Sequence, residues 1–190
     1  MAVTPSLMIA LGTLAPAFSL PDVSSGGAVS LDDYKTNKAM LVVFVSRHCP
    51  YVVHVREGLA QLGRDYAGKD IGIVAISAND ASAYPDDAPG KLKEMAAQAK
   101  FTFPLLYDES QKVAIAYGAR CTPDFFLFDK DRKLVYRGQL DDSRPGSGVP
   151  VTGKDLRAAI DAVLAGTPVS QDQKPSMGCN IKWKPGNEPK

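Results

Sequence analysis

The stretch Ser46-Arg47-His48-Cys49-Pro50-Tyr51-Val52-Val53-His54 gathers a thiol, a hydroxyl, a guanidinium and two imidazoles. Cys49 stands where an apolar run ends and a helical pattern begins, at or next to a helix N-cap. Unpaired backbone N–H groups and the helix dipole favour an anion there, so the position suits a reactive thiolate. Arg47 and His48 add positive charge beside it. The plainer alternative is a small buried structural cysteine; the junction favours the nucleophile. No second cysteine follows within a helical turn, because Val52 occupies that place. Whatever Cys49 attacks, a group elsewhere must release it. His48 and His54 flank the thiol, yet no fourth ligand accompanies them, so neither metal nor haem is expected.

The remaining chemistry sits on two distant cysteines, Cys121 and Cys179. Three widely spaced cysteines make neither a secreted disulfide framework nor a zinc ribbon. They suit a reducing compartment, and the protein is expected to be cytoplasmic. Met1 to Leu20 has an apolar middle but neither lysine nor arginine, so it lacks the charged start of a secretory signal. A formal charge of +1 gives no electrostatic case for nucleic acid or an anionic membrane. The longest apolar runs are too short to cross a bilayer.

The elements that must position Cys49 follow from periodicity. Ala39–Val45 is a continuous apolar run, the pattern of a central strand buried on both faces. Val52, Val55, Leu59, Leu62 and Tyr66 recur at helical spacing, and Pro50 suits the first turn. Asp70–Ser77 reads as a second buried strand, followed by a polar loop from Asn79 to Pro89, whose acidic stretch Asp80 to Asp87 is expected to be solvated or, alternatively, to rim the site. A helix carrying Leu92, Met95, Ala96 and Ala99 comes next, then a strand at Phe103–Tyr107 and a helix at Ser110–Tyr117. Strands at Asp124–Phe128 and Leu134–Arg137 flank a turn, and Ser24-Ser25-Gly26-Gly27 marks an earlier hairpin within Phe18–Leu31. A last helix is expected from Thr152 to Gly166, with Asp155 in a capping-box contact. Proline-rich residues 168–190 show no periodicity and read as an irregular tail. The expected architecture is an α/β sandwich, with a single domain over 1–167 and a tail over 168–190.

The order of elements, the junction Phe44-Val45-Ser46-Arg47-His48-Cys49-Pro50 and the later Cys121-Thr122-Pro123 resemble the thioredoxin-like superfamily. The opening Gly12-Thr13-Leu14-Ala15-Pro16-Ala17-Phe18-Ser19-Leu20-Pro21-Asp22 is similar to the start of its peroxiredoxin-like redoxin branch, the alkyl hydroperoxide reductase C/thiol-specific antioxidant group. Ser176-Met177-Gly178-Cys179-Asn180-Ile181-Lys182-Trp183 looks like the ending of a peroxiredoxin-like subgroup. Departures accompany the likeness. Val52 replaces the second cysteine of a thioredoxin, and Val43 replaces its buried aspartate. Ser46 keeps the peroxiredoxin hydroxyl three residues before the cysteine, but Val42 stands for the motif's proline. Pro123 stands where a peroxiredoxin arginine activates peroxide, leaving Arg47 or Arg120 as substitutes.

The resemblance implies an oxidoreductase of thiol-disulfide or thiol-peroxidase type, with antioxidant action and no organic cofactor. Cys49 is the nucleophile it implies. Cys121, on the expected cis-proline loop Thr122-Pro123, is the first candidate to resolve it, and Cys179 on the tail is the rival. Ser46, Arg47, His48, Pro50, Thr122 and Pro123 are the implied substrate contacts. Partners would be protein or small-molecule disulfides or peroxides, with a thiol reductant of thioredoxin or glutathione type. A redox sensor or binding module without turnover is the alternative reading.

Overall fold

The structure, a computed structural model, describes residues 3–189. Along the chain run β1 (Val3–Pro5), β2 (Ser19–Pro21), β3 (Ala28–Ser30), β4 (Ala39–Phe44), α1 (Pro50–Asp65), β5 (Ile71–Ser77), α2 (Pro89–Ala99), β6 (Leu105–Tyr107), α3 (Lys112–Tyr117), β7 (Cys121–Thr122), β8 (Asp124–Phe128), β9 (Leu134–Gly138), α4 (Lys154–Ala165) and β10 (Met177–Asn180). Short 3₁₀ helices lie at Leu31–Tyr34 and Pro85–Asp87.

The apolar run at β4 takes the middle of a five-stranded sheet ordered β6-β5-β4-β8-β9. It pairs in parallel with β5 and antiparallel with β8. Successive side chains of a strand face opposite ways, and β4 divides on that rule. Leu41 and Val43 join one core with Val52, Val55, Leu59 and Leu62 of α1, Leu92 and Met95 of α2, and Leu156 and Ile160 of α4. Met40, Val42 and Phe44 join the other, with Val113 and Tyr117 of α3, Phe18 and Leu20 near β2, and Ile181. A strand covered on both faces has no polar alternation to show, which is why its sequence reads as unbroken hydrophobicity.

The hairpin expected around Gly26 is β2 paired with β3. The last helix begins differently from the expectation. Gly153, at φ +70°, is the residue before α4, and the Asp155 carboxylate accepts from Gln139 Nε2 at 2.6 Å instead of closing a capping box. No side chain caps α4; Asp141 instead fastens the chain just before it, its Oδ2 accepting from the N–H groups of Thr152 (2.7 Å) and Gly153 (2.6 Å). A contact made from outside the local sequence leaves no capping-box signature to read.

Residues 168–190 are irregular for most of their described length, but they supply β10. That strand lies in the middle of a second, three-stranded sheet ordered β1-β10-β7. Cys179 pairs with Val3 on one side and Thr122 on the other. Trp183 packs against the second core as an anchor. The segment is therefore tied down over the Cys49 region rather than trailing from the domain.

Candidate functional site

Strand β4 ends at Phe44, and four more residues lead to Cys49, the N-cap of α1. The backbone of Cys49 is extended (φ −70°, ψ 121°), and Pro50 opens the helix with its fixed φ and no N–H to satisfy. No side chain caps this terminus and no acidic residue lies in its first turn. The sulfur is thus the polar atom presented where the helix dipole favours negative charge. Val52, in the place of a second cysteine, is buried in the core with α1's apolar stripe.

Cys49 is 0 % exposed. Its Sγ lies 3.1 Å from the carbonyl oxygen of Thr122, to which it donates, and 2.9 Å from Cys179 Sγ. The Thr122–Pro123 bond is cis, as the resemblance led us to expect. Burial, followed by the contact with Cys49, pushes the Cys179 thiol up to about 12. Cys121 is also buried, but its Sγ donates to Pro123 O at 3.7 Å. Register separates the two sulfurs. Cys179 is opposite Thr122 while Cys121 is opposite Asn180, and adjacent positions on a strand face opposite sides. Burial and the nearby Asp124 carboxyl raise the Cys121 thiol far above its ordinary value. The structure brings Cys179, rather than Cys121, onto Cys49.

The loop before Cys49 is held by one side chain the sequence reading passed over. Asp87, in the loop expected to be solvated, is 0 % exposed. Its carboxylate accepts from the Arg47 N–H (2.6 Å), Asn79 Nδ2 (2.7 Å) and Ser46 Oγ (3.1 and 3.2 Å). His48 Nδ1 meets it at 2.7 Å, and the imidazole stacks on Tyr84. Asn79 reaches on to the C-terminal segment, its Oδ1 accepting from Lys182 N–H at 2.8 Å. One buried carboxylate thereby ties the Cys49 loop, through Asn79, to the segment bearing Cys179. No motif marks Asp87; its place beside Pro85, in a 3₁₀ turn just before α2, is the only local cue.

The other anticipated residues lie as follows. The Arg47 guanidinium pairs with Asp86 at 3.1 Å on the rim. Arg120 contributes main-chain atoms, its N–H donating to Asp124 Oδ2 and its carbonyl accepting from Ile181. His54 meets Ser143 Oγ at 2.7 Å, further along α1. Among the described residues no group of three or more histidine, cysteine, aspartate or glutamate side chains is placed to hold a metal ion. No described helix is long and apolar enough to cross a membrane.

A cysteine at the N-cap of a helix that follows a central strand, faced by a cis-proline loop, lies on a thioredoxin-like fold, and the relatives of the chain make it a thiol-dependent redox protein. The Redoxin family model matches residues 10–156, and the chain belongs to that family. A crystal structure of an uncharacterised conserved protein from Geobacillus kaustophilus shares 52% identity and superimposes with a TM-score of 0.96, over 98% of each chain. The thiol-disulfide oxidoreductase ResA of Bacillus thuringiensis is 29% identical over 125 residues, 66% of this chain and 67% of that protein. Rv2521 of Mycobacterium tuberculosis, named among the peroxiredoxins, is 30% identical over 140 residues, 65% of this chain and 81% of its own length. The protein is an oxidoreductase of this family, and its redox partners are oxidised substrates of the disulfide or peroxide kind together with a reductant.

Proposed function

We propose that Cys49 and Cys179 are the working pair, with Cys49 as the nucleophile and Cys179 as the resolving thiol. The 2.9 Å approach of their sulfurs, set by the pairing of β10 with β7, is the observation that carries this reading. A disulfide bond is about 2.05 Å long, so a small movement of either side chain closes it. Cys121 becomes a buried structural thiol on the opposite face of the small sheet. In the forward direction the Cys49 thiolate attacks one sulfur of a disulfide, or the outer oxygen of a hydroperoxide. The products are a mixed disulfide and a thiol, or a sulfenic acid and an alcohol. Cys179 then attacks Cys49 Sγ, expelling the second thiol or water, and an external dithiol returns two electrons to the Cys49–Cys179 disulfide.

Within this reading Asp87 holds His48 by Nδ1, which leaves Nε2 available to exchange a proton with the departing group. The Thr122 carbonyl and the cis-proline turn position the sulfur. A reducing, cytoplasmic setting is supported by the small number and wide spacing of the cysteines, and an antioxidant role by the likeness to the peroxiredoxin relative Rv2521.

Peptide mapping after a brief pulse of dilute hydrogen peroxide without reductant tests the pairing. The expected product is a Cys49–Cys179 disulfide with Cys121 unmodified. A Cys49–Cys121 disulfide, or a Cys49 sulfenic acid that persists beside free Cys179, would refute the assignment. Cys179→Ser should leave Cys49 trapped as a mixed disulfide or sulfenic acid.

A further inference from the structure

While β10 is seated, nothing as large as a polypeptide reaches Cys49. The strand itself lies there as an extended peptide would. It runs antiparallel to β7, with Cys179 opposite Thr122 and Asn180 opposite Cys121. On its flanks Ser176 Oγ donates to Pro123 O at 2.6 Å, and Ile181 N–H donates to Arg120 O at 3.1 Å. Main-chain pairing of this kind is indifferent to most side chains, so the pockets and close approaches set selectivity. Two features do so here. A Cβ on Gly178 would stand 2.0 Å from Thr122 O, so the residue before the cysteine must lack a side chain. The next residue presents its sulfur to Cys49.

Both ends of the strand are held. Downstream, Lys182 N–H is bonded to Asn79 Oδ1, and Gln111 Nε2 donates to the Lys182 carbonyl at 2.9 Å. Upstream, Ser176 exchanges main-chain and side-chain hydrogen bonds with Ser6, Gln139 N–H donates to the Lys174 carbonyl at 3.0 Å, and Gln173 is bonded to Arg137 and Val135. Between these anchors β10 is paired with β1 on its other edge, so a substrate reaches β7 only when the four-residue strand itself leaves that edge.

We propose that β10 is a tethered occupant of a peptide-docking edge, and that the substrate is an extended polypeptide disulfide whose Gly-Cys segment takes the register of Gly178-Cys179 on β7. This rests on Cys49 being the nucleophile. With β10 lifted, the Cys49 thiolate attacks the docked cysteine's sulfur. The substrate S–S bond breaks, its partner sulfur leaves as a thiol after taking a proton, and a Cys49–substrate mixed disulfide forms. Return of β10 brings Cys179, which loses its proton and attacks Cys49 Sγ. That step frees the second substrate thiol and closes Cys49–Cys179. Two electrons pass from the two protein thiols to the substrate disulfide, and the strand that resolves the intermediate also displaces the product.

The test uses full-length Cys179→Ser protein and two peptides copying residues 175–182. One keeps Gly-Cys and the other has Val-Cys; each cysteine is activated as a pyridyl disulfide. The Gly-Cys peptide should modify Cys49 about tenfold faster or more, the ratio that about 1.4 kcal/mol of differential binding gives. Equal rates would overturn the proposal. Dithiodipyridine serves as the small control. If it leaves Cys49 unmodified even after Gly178→Val is added to unseat β10, the reading of Cys49 as nucleophile fails; if it modifies Cys49 while the peptides react alike, only the docking edge fails. In the otherwise native chain, Gly178→Val should unseat β10 and speed labelling of Cys49 by dithiodipyridine by a similar factor, with the circular dichroism spectrum unchanged. Labelling no faster than in the native chain would also overturn it.

Discussion

Two carboxyl groups close to the Cys49 site are each wholly buried, and they are treated in opposite ways. Asp87 accepts from the Arg47 main chain, from Ser46 and from Asn79, and pairs with His48. Asp124, the first residue of β8, accepts from the Arg120 N–H through Oδ2, while Oδ1 has no hydrogen bond among the described residues. Burial lifts Asp124 to about 8, its main-chain hydrogen bonds opposing the shift only in part. A carboxyl removed from water stays charged at little cost only where donors replace the lost hydration. One of these residues is an organising acceptor surrounded by donors. The other is held as a neutral acid through most of the physiological range.

The contrast can be broken most forcefully at Asp124. The native state binds a proton there that the unfolded chain releases near pH 4. Native stability therefore falls as pH rises from about 4 to about 8, the range between the unfolded and folded values. Asp124→Asn should remove that loss. Urea titrations should show the variant about 1.5 kcal/mol more stable than the native protein at pH 5 and about 5 kcal/mol more stable at pH 8. A native protein equally stable at both pH values would show that Asp124 is better solvated than its position implies.

Next in size is Asp87→Ala, which leaves the Arg47 N–H and Asn79 amide without their buried acceptor and His48 without its partner. A loss of about 4 kcal/mol is expected from chemical denaturation, together with slower oxidation of Cys49. Asn79→Ala cuts the link between Asp87 and Lys182 while sparing the carboxylate. About 2 kcal/mol should be lost, and hydrogen exchange should quicken at Cys179 and Ile181. Ser46→Ala is the sharpest comparison and the smallest effect. Asp87 retains its other donors, so the cost should be about 1 kcal/mol with the Cys49–Cys179 disulfide still forming. A cost as large as that of Asp87→Ala would mean that the hydroxyl, rather than the carboxylate, organises the loop.

What could be read from the chain beforehand divides along the same line between local and distant partners. The apolar run of β4, the helical spacing of Val52, Val55 and Leu59, and proline at the first turn of α1 are all local patterns. They placed Cys49 at the strand–helix junction. The cis bond at Pro123 was legible only through family resemblance. Cys179 was not placed, because β10 is a four-residue strand with glycine inside it, too short to show an alternation. Its position depends on partners at residues 3–5 and 121–122. Asp87 was misjudged for a related reason. Acidic residues between Asn79 and Pro89 have the composition of a solvated loop, and only the fold reveals that one of them turns inward to meet Ser46, Arg47 and Asn79. Asp155 looked like a cap because it falls in the first turn of α4, yet no side chain caps that helix, and Asp141 fastens the chain just before it from the preceding loop.

The pairing of β10 with β1 and β7 also sets an order on synthesis. Residue 179 must emerge before the small sheet can close over Cys49, although β4, α1 and β5 are complete far earlier. A nascent chain halted before residue 177 would carry the redoxin cysteine without its cover or its second sulfur. During translation the thiol is therefore open to whatever oxidant or disulfide is near the ribosome, and it becomes guarded only when the last strand arrives.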